Sequence, residues 1–157
     1  MSKIGIFVDV QNIYYTTQSM FKRNLDYNKF WSKVTKEKLV VTAIAYATDK
    51  GDRKQTEFQN ILRAIGFDVK LKPYISRRDG STKGDWDVGI TIDIMKHAKE
   101  LDTVILASGD GDFDLLLKEI RLEYGTDSEI FGVKGLTANS LIQQCTKYEA
   151  IDEALLL

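Results

Sequence analysis

The sequence predicts a single α/β domain over residues 1–157, a three-layer α/β/α sandwich with a mostly parallel central sheet. Two short runs, residues 4–8 and 103–107, are continuously apolar, as strands buried on both faces are. Strand-like segments alternate with amphipathic helical segments along the chain, which is the order that right-handed βαβ crossovers require. The length of 157 residues, with 43% hydrophobic and 29% charged side chains, is ordinary for one globular domain.

Each element is predicted from hydrophobic spacing and turn residues. Strands are expected where apolar and β-branched residues run together, at residues 4–8, 39–47, 68–71, 103–107 and 129–133. Helices are expected where apolar residues recur every three or four positions, at residues 13–21, 27–34, 53–65, 86–100, 111–123 and about 138–145. Gly66 is expected to end the third helix, and the polar, basic segment 76–84 to form a loop.

The same spacing predicts which side of each helix is buried. The stripes expected to face the sheet are Ile13, Met20 and Phe21 in the first helix, Val88, Ile92, Met95 and Lys99 in the fourth, and Phe113, Leu116, Leu117 and Ile120 in the fifth.

Composition excludes several kinds of site. One cysteine, Cys145, cannot form an intramolecular disulfide or a cysteine-based zinc site, which favours a cytoplasmic protein. One histidine, His97, rules out two-histidine metal sites. The usual glycine-rich nucleotide cradles are absent, and no apolar run approaches the roughly 18 residues of a membrane span. A net charge of −1 identifies no partner, and the sequence leaves the oligomeric state open.

Acidic side chains follow both of the most apolar strands. Asp9 comes directly after the first, while Asp110 and Asp112 come just after the second. The carboxyl ends of parallel strands meet at one edge of a sheet, so these carboxylates are expected to lie close together. Two unit charges about 4 Å apart repel by about 4 kcal/mol near a protein surface. A divalent cation offsets that repulsion, and ligands that are all oxygen favour Mg²⁺ or Mn²⁺ over zinc.

Helix capping is the alternative reading of these acids. Aspartate is common at strand ends and helix starts because its side chain accepts hydrogen bonds from exposed backbone amides. Asp112 lies at the start of a predicted helix, so capping explains its position almost as well as metal binding does. Asp87, near the start of another helix, is open to the same interpretation.

Three motifs resemble those of a known family. The segment FVDVQNI at residues 7–13 resembles the "hydrophobic-Asp-x-x-Asn" opening of NYN domains, a branch of the PIN-like nuclease superfamily. Lys83-Gly84 followed by DVGITID at residues 87–93 is similar to a helix motif of the LabA-like subgroup, and SGDGDF at residues 108–113 matches its "SGDxDF" motif. The motifs occur in the family's order, and the likeness extends over almost the whole chain.

This resemblance implies metal-dependent hydrolysis of RNA. The residues expected to hold Mg²⁺ or Mn²⁺, directly or through water, are Asp9, Asp87, Asp110 and Asp112. Asn12 is expected to hydrogen-bond either one of the acids or a substrate phosphate, which makes it a fifth candidate catalytic residue. Asp85 and Asp93 are neighbouring rivals for the position assigned to Asp87.

Contacts with RNA are predicted near the motifs. The cations Arg77, Arg78 and Lys83 precede the Asp87 helix and are candidates for contact with the phosphate backbone. The aromatic candidates for stacking on unpaired bases are Tyr14, Tyr15 and Trp86, although aromatic residues near helix starts more often pack.

Three functions are compatible with these residues. A metal-dependent ribonuclease agrees best with the acids and the ordered motifs. An RNA-binding or regulatory NYN module with little or no turnover is the alternative. A phosphatase with an aspartate nucleophile ranks third, because such enzymes have Asp-x-Asp-x-Thr where this chain has DVQNI at residues 9–13.

Overall fold

The structure is a computed structural model, and it describes residues 1–73, 75–76, 82–83 and 85–157. Its centre is a sheet of six parallel strands. The strands of this sheet are β1 (Ser2–Asp9), β2 (Lys38–Asp49), β3 (Asp68–Pro73), β6 (Thr103–Ala107), β7 (Asp127–Gly132) and β8 (Lys147–Ala150). They are arranged in the order β3-β2-β1-β6-β7-β8. A separate antiparallel pair, β4 (Ile75–Ser76) with β5 (Thr82–Lys83), overlaps the segment 76–84 that was predicted to be a loop.

Helices cover both faces of the sheet. They are α1 (Val10–Phe21), α2 (Tyr27–Thr35), α3 (Arg53–Ile65), α4 (Asp87–Ala98), α5 (Asp114–Tyr124) and α6 (Asn139–Gln144). Two short 3-10 helices, Gly111–Phe113 and Glu153–Leu155, complete the described secondary structure. None of the described helices is long and apolar enough to cross a membrane.

Two hydrophobic cores lie on opposite sides of the sheet. The strand β1 alternates between them, with Ile6 and Val8 in the core under α1, α2 and α3, and Phe7 in the core under α4, α5 and α6. Because both of its faces are covered, β1 is buried almost continuously, as its apolar run predicts. The predicted three-layer α/β fold is confirmed.

The buried face of α4 differs from the prediction. Helix α4 turns Ile90, Ile94 and Ala98 toward the sheet, whereas Val88 and Ile92 are exposed. The buried face also contains a charged residue, Asp93, so hydrophobic spacing selected the wrong stripe. Met20 in α1 is likewise exposed rather than buried, while the predicted stripe of α5 is buried as expected.

The strand β8 was not predicted. The residues after the last helix were expected to form a terminal segment. Its sequence, KYEA, carries charged residues at alternate positions and has no apolar run. It pairs through one side, with β7, at the edge of the sheet, where charged side chains are usual. The helix predicted at residues 111–123 also differs in detail, since it begins as the 3-10 turn Gly111–Phe113.

Candidate metal centre

Two of the predicted acids meet at the centre of the sheet. Strands β1 and β6 are parallel neighbours, with Val8 paired to Ala107. Asp9 is the last residue of β1, and Asp110 lies three residues beyond β6. The strand order also reverses between β1 and β6, since β2 and β3 lie on one side of β1 and the later strands on the other. This switch point, beyond the carboxyl ends of the strands, is where open parallel sheets usually bind ligands.

A third acid reaches this edge from a helix. Asp87 is the first residue of α4, and one carboxylate oxygen from each of Asp9, Asp87 and Asp110 lies within 4.8 Å of the other two. We call these three residues the aspartate triad. Three of the four acids predicted as metal ligands therefore come together in space.

The fourth acid, Asp112, lies beside the triad but is not part of it. It is exposed, in the 3-10 turn Gly111–Phe113, and its backbone amide donates a hydrogen bond of 2.9 Å to Oδ1 of Asp110. Of the residues that the structure describes, only the triad groups its oxygens closely enough to share an ion. A role for Asp112 through water stays a prediction.

The two rivals of Asp87 have other partners. Oδ2 of Asp93 accepts hydrogen bonds from the Tyr46 hydroxyl at 2.8 Å and from Nζ of Lys70 at 2.7 Å. Burial raises the pKa of Asp93, but these two partners outweigh it, and the pKa lies below its usual value. Asp85 is exposed and accepts a hydrogen bond from the backbone amide of Asp87 at 3.2 Å. The structure thus places Asp87, rather than Asp93, beside Asp9 and Asp110.

Hydrogen bonds hold the loop after β6 against β1. The Ser108 hydroxyl donates to Oδ2 of Asp9 at 3.1 Å and accepts from the amide of Asp110 at 3.2 Å. Sequence reasoning gave Ser108 no role, although it is the first residue of the SGDGDF motif. The side-chain oxygen of Asn12 accepts from the amide of Gly109 at 2.8 Å, so its side chain positions this loop, while the backbone of Asn12 hydrogen-bonds Asp9.

Burial makes two acids of the triad, Asp9 and Asp87, reluctant to ionise. It raises the pKa of Asp9 to about 6, with Asp110 and Asp85 adding repulsion and the Ser108 hydroxyl opposing the shift. Burial also raises the pKa of Asp87, which shares a hydrogen bond with Asp110 and feels the charges of Asp110, Asp85 and Asp9. A bound cation would remove these penalties, because its charge offsets the repulsion among the carboxylates.

The donor set of the triad suits a hard divalent cation. All three donors are carboxylate oxygens, which bind Mg²⁺ and Mn²⁺ in preference to softer metals. In an octahedral Mg²⁺ shell, ligand oxygens are separated by roughly 3 to 4 Å. The 4.8 Å limit within the triad is therefore close to what one ion requires.

The predicted RNA contacts have different outcomes. Arg77, Arg78 and the side chain of Lys83 lie outside the described residues. Tyr14 and Tyr15 are exposed on α1, with 53% and 62% of their surface accessible. Trp86 instead packs against the protein, because its Nε1 donates to the carbonyl oxygen of Ala47 at 2.9 Å and its ring lies 5.3 Å from that of Tyr46.

Comparison with known proteins agrees with this architecture. The family model described as the NYN domain matches residues 3–152. The low amplitude and bright protein LabA of Synechococcus elongatus is 26% identical over 156 residues, which cover 94% of this chain and 82% of LabA. A crystal structure of a protein of unknown function from Vibrio parahaemolyticus is 52% identical, with a TM-score of 0.95 over 99% of this chain and 96% of that one. Ribokinase from Giardia lamblia is similar in fold alone, with 11% identity and a TM-score of 0.52 over 96% of this chain and 58% of ribokinase.

Proposed function

This chain belongs to the NYN domain family, and from that premise we propose that it is a metal-dependent ribonuclease that hydrolyses phosphodiester bonds at the aspartate triad. The observation that carries the proposal is the convergence of three carboxylate oxygens within 4.8 Å at the switch point of the sheet. The proposal includes the cytoplasmic location that a single cysteine favours.

The roles of the residues follow from their positions. Asp9 at the end of β1 and Asp110 in the loop after β6 would hold the cation together with Asp87 of α4. A bound Mg²⁺ or Mn²⁺ would supply Lewis-acid chemistry, making the phosphate easier to attack and a water more acidic. The exposed carboxylates of Asp85 and Asp112, next to the triad in the chain, would be the groups that accept a proton from the attacking water.

The overall reaction needs no histidine base. Water attacks phosphorus, the bond from phosphorus to the leaving oxygen breaks, and the leaving oxygen takes a proton from solvent. His97 lies in the last turn of α4, where its Nδ1 is 2.9 Å from Oε1 of Glu100. His97 is paired with Glu100 and lies at the opposite end of α4 from Asp87, so it takes no part in this reaction.

Cleavage assays test the proposal directly. The purified chain, supplied with Mg²⁺ or Mn²⁺, should cut RNAs from a panel of single-stranded and structured substrates, and chelation by EDTA should stop the reaction. Asp110→Asn should slow cleavage at least about 100-fold, because it removes a charged metal ligand. Asp52→Asn is the matched control, since Asp52 caps α3 and asparagine caps a helix equally well.

Three results would contradict the proposal. Undiminished cleavage by Asp110→Asn would mean that the centre lies elsewhere. Tight, metal-dependent retention of RNA without cleavage would favour the binding or regulatory module. Rapid hydrolysis of a small phosphomonoester, with RNA left intact, would favour the aspartyl phosphatase.

A further inference from the structure

A groove of about 640 Å³ opens beside the aspartate triad. One end is lined by Val10 and Gln11, the two residues that follow Asp9, and another part by Thr48 near the end of β2. The groove therefore lies at the same edge of the sheet as the triad. Its volume is in the range of pockets that hold small organic groups.

Two largely buried polar side chains line this groove and have no hydrogen-bonding partner in the described part of the chain. Gln59 of α3 is 5% exposed and Tyr27 of α2 is 8% exposed. Neither side chain forms a hydrogen bond with any residue that the structure describes. No described side-chain nitrogen or oxygen that is fully buried lacks a partner, so the polar atoms of Gln59 and Tyr27 are reached by solvent, although the rest of each side chain is buried. An amide and a hydroxyl that line one groove and are not bonded to described residues can pair with a ligand that supplies hydrogen-bond donors and acceptors.

The mouth of the groove is aromatic and basic. It is lined by Tyr14 and Tyr15, whose ring centroids are 6.0 Å apart. Lys54, at the start of α3, also lines it, and its side chain forms no ion pair with a described residue. Among the described lining residues there is no aspartate or glutamate. Exposed aromatic rings with a nearby cation are what single-stranded nucleic acids bind, through base stacking and phosphate attraction.

We propose that this groove is a base-reading subsite for single-stranded RNA, in which one unpaired base inserts and hydrogen-bonds to the side chains of Gln59 and Tyr27. Neighbouring bases stack on Tyr14 and Tyr15, and a backbone phosphate lies near Lys54. A duplex is excluded, because its base edges are already paired. The identity of the ligand as RNA rests on the proposed function, whereas the shape and polarity of the groove do not.

Binding assays without cleavage test this subsite. Fluorescence anisotropy with labelled single-stranded octamers of each base, and with a duplex, would be measured in the Asp110→Asn background. Gln59→Leu should weaken binding of the preferred base about 10-fold and reduce the preference among bases. Its melting temperature should not fall, since the amide that it removes has no hydrogen-bonding partner among the described residues. Tyr27→Phe is the conservative second variant, which removes the hydroxyl alone. It should weaken binding of the same base.

The mouth of the groove is tested by separate variants. Tyr14→Ala combined with Tyr15→Ala should weaken binding of every single-stranded octamer roughly 10-fold or more, because both stacking rings are lost. Lys54→Ala should reduce the dependence of log affinity on log salt by about one phosphate contact. Lys118→Ala and Tyr124→Ala, both exposed on α5 in the other helical layer, are the matched controls.

The outcomes separate this inference from the proposed function. It is overturned if Gln59→Leu and Tyr27→Phe bind every octamer as the parent does, if the duplex binds equally well, or if a free mononucleotide binds as tightly as the octamers. If the unmutated chain cleaves RNA and both variants cleave it at the same rate with the same base preference, the subsite fails while the ribonuclease stands. If base-selective binding is lost in the variants but the chain never cleaves RNA, the subsite stands and the ribonuclease fails.

Discussion

Replacing Asp9 by asparagine should stabilise the metal-free protein and abolish its activity. Asp9 is only 7% exposed, and burial raises its pKa from 3.8 to about 6. Asparagine has nearly the same shape, carries no charge, and its carbonyl oxygen can still accept the hydrogen bond from Ser108. The substitution therefore removes the charge that the metal needs and leaves most of the packing intact.

The sign and size of the stability change follow from the pKa of Asp9. Below pH 4 the carboxyl is neutral in both the folded and the unfolded chain, so burying it carries no charge penalty. Above pH 6 the folded protein must hold a buried anion, and a pKa moved from 3.8 to about 6 corresponds to a loss of about 3 kcal/mol in the free energy of unfolding. Stability thus falls as pH rises from about 4 to 6, and Asp9→Asn should recover at most that amount at pH 7.5. For a domain of this size the gain corresponds to roughly 6 to 12 °C in melting temperature.

Thermal denaturation in EDTA, followed by circular dichroism at a series of pH values, measures this effect. The melting temperatures of Asp9→Asn and of the unmutated chain should converge near pH 4 and separate as pH rises, while RNA cleavage by the variant is lost. Asp52→Asn, at the exposed cap of α3, should show no such separation. If Asp9→Asn melts lower than the unmutated chain at pH 7.5 in EDTA, burial of the charge is not what dominates at this position.

Three further predictions concern the same edge of the sheet. Saturating Mn²⁺, at about 100 times its dissociation constant, should stabilise the protein by about 2.7 kcal/mol near pH 8. The stabilisation should be smaller near pH 5, where Asp9 holds its proton. Scanning calorimetry measures both values, and an equal stabilisation of Asp110→Asn would contradict the prediction. Tyr46→Phe removes a 2.8 Å hydrogen bond to Asp93 and should cost about 1–2 kcal/mol in urea denaturation, an unchanged midpoint being the contrary result. Gly109→Ala would place Cβ 2.6 Å from the carbonyl oxygen of Leu136, so the loop must move; titration calorimetry should show Mn²⁺ affinity reduced about 10-fold or more, and wild-type affinity would refute this.

Strand ends were the predictable part of the site. The apolar runs before Asp9 and Asp110 identify buried parallel strands, and neighbouring parallel strands bring their carboxyl ends together without further information. Asp87 followed from motif resemblance, because no local pattern says where the first turn of a helix will lie in space. Gln59 and Tyr27 carried no signal at all, since the polar lining of a groove is a property of three-dimensional contacts.

The wrong prediction for α4 has a physical cause that also bears on the triad. Hydrophobic spacing could not select the true buried face because Asp93 interrupts it, and Asp93 is buried only because Tyr46 of β2 and Lys70 of β3 satisfy its carboxylate.

The same contacts fix the helix that carries Asp87. Asp93 anchors the middle of α4 to β2 and β3, and Trp86, hydrogen-bonded to the carbonyl oxygen of Ala47 in β2, anchors the residue just before Asp87. With two attachments on the sheet, α4 has little freedom to slide or rotate. Asp87 is therefore held beside Asp9 and Asp110, in a position where burial and the neighbouring acids disfavour its ionised form and raise its pKa. The hydrogen bonds of Asp93, which interrupt the hydrophobic pattern of α4, thus help to hold the triad together before a cation binds.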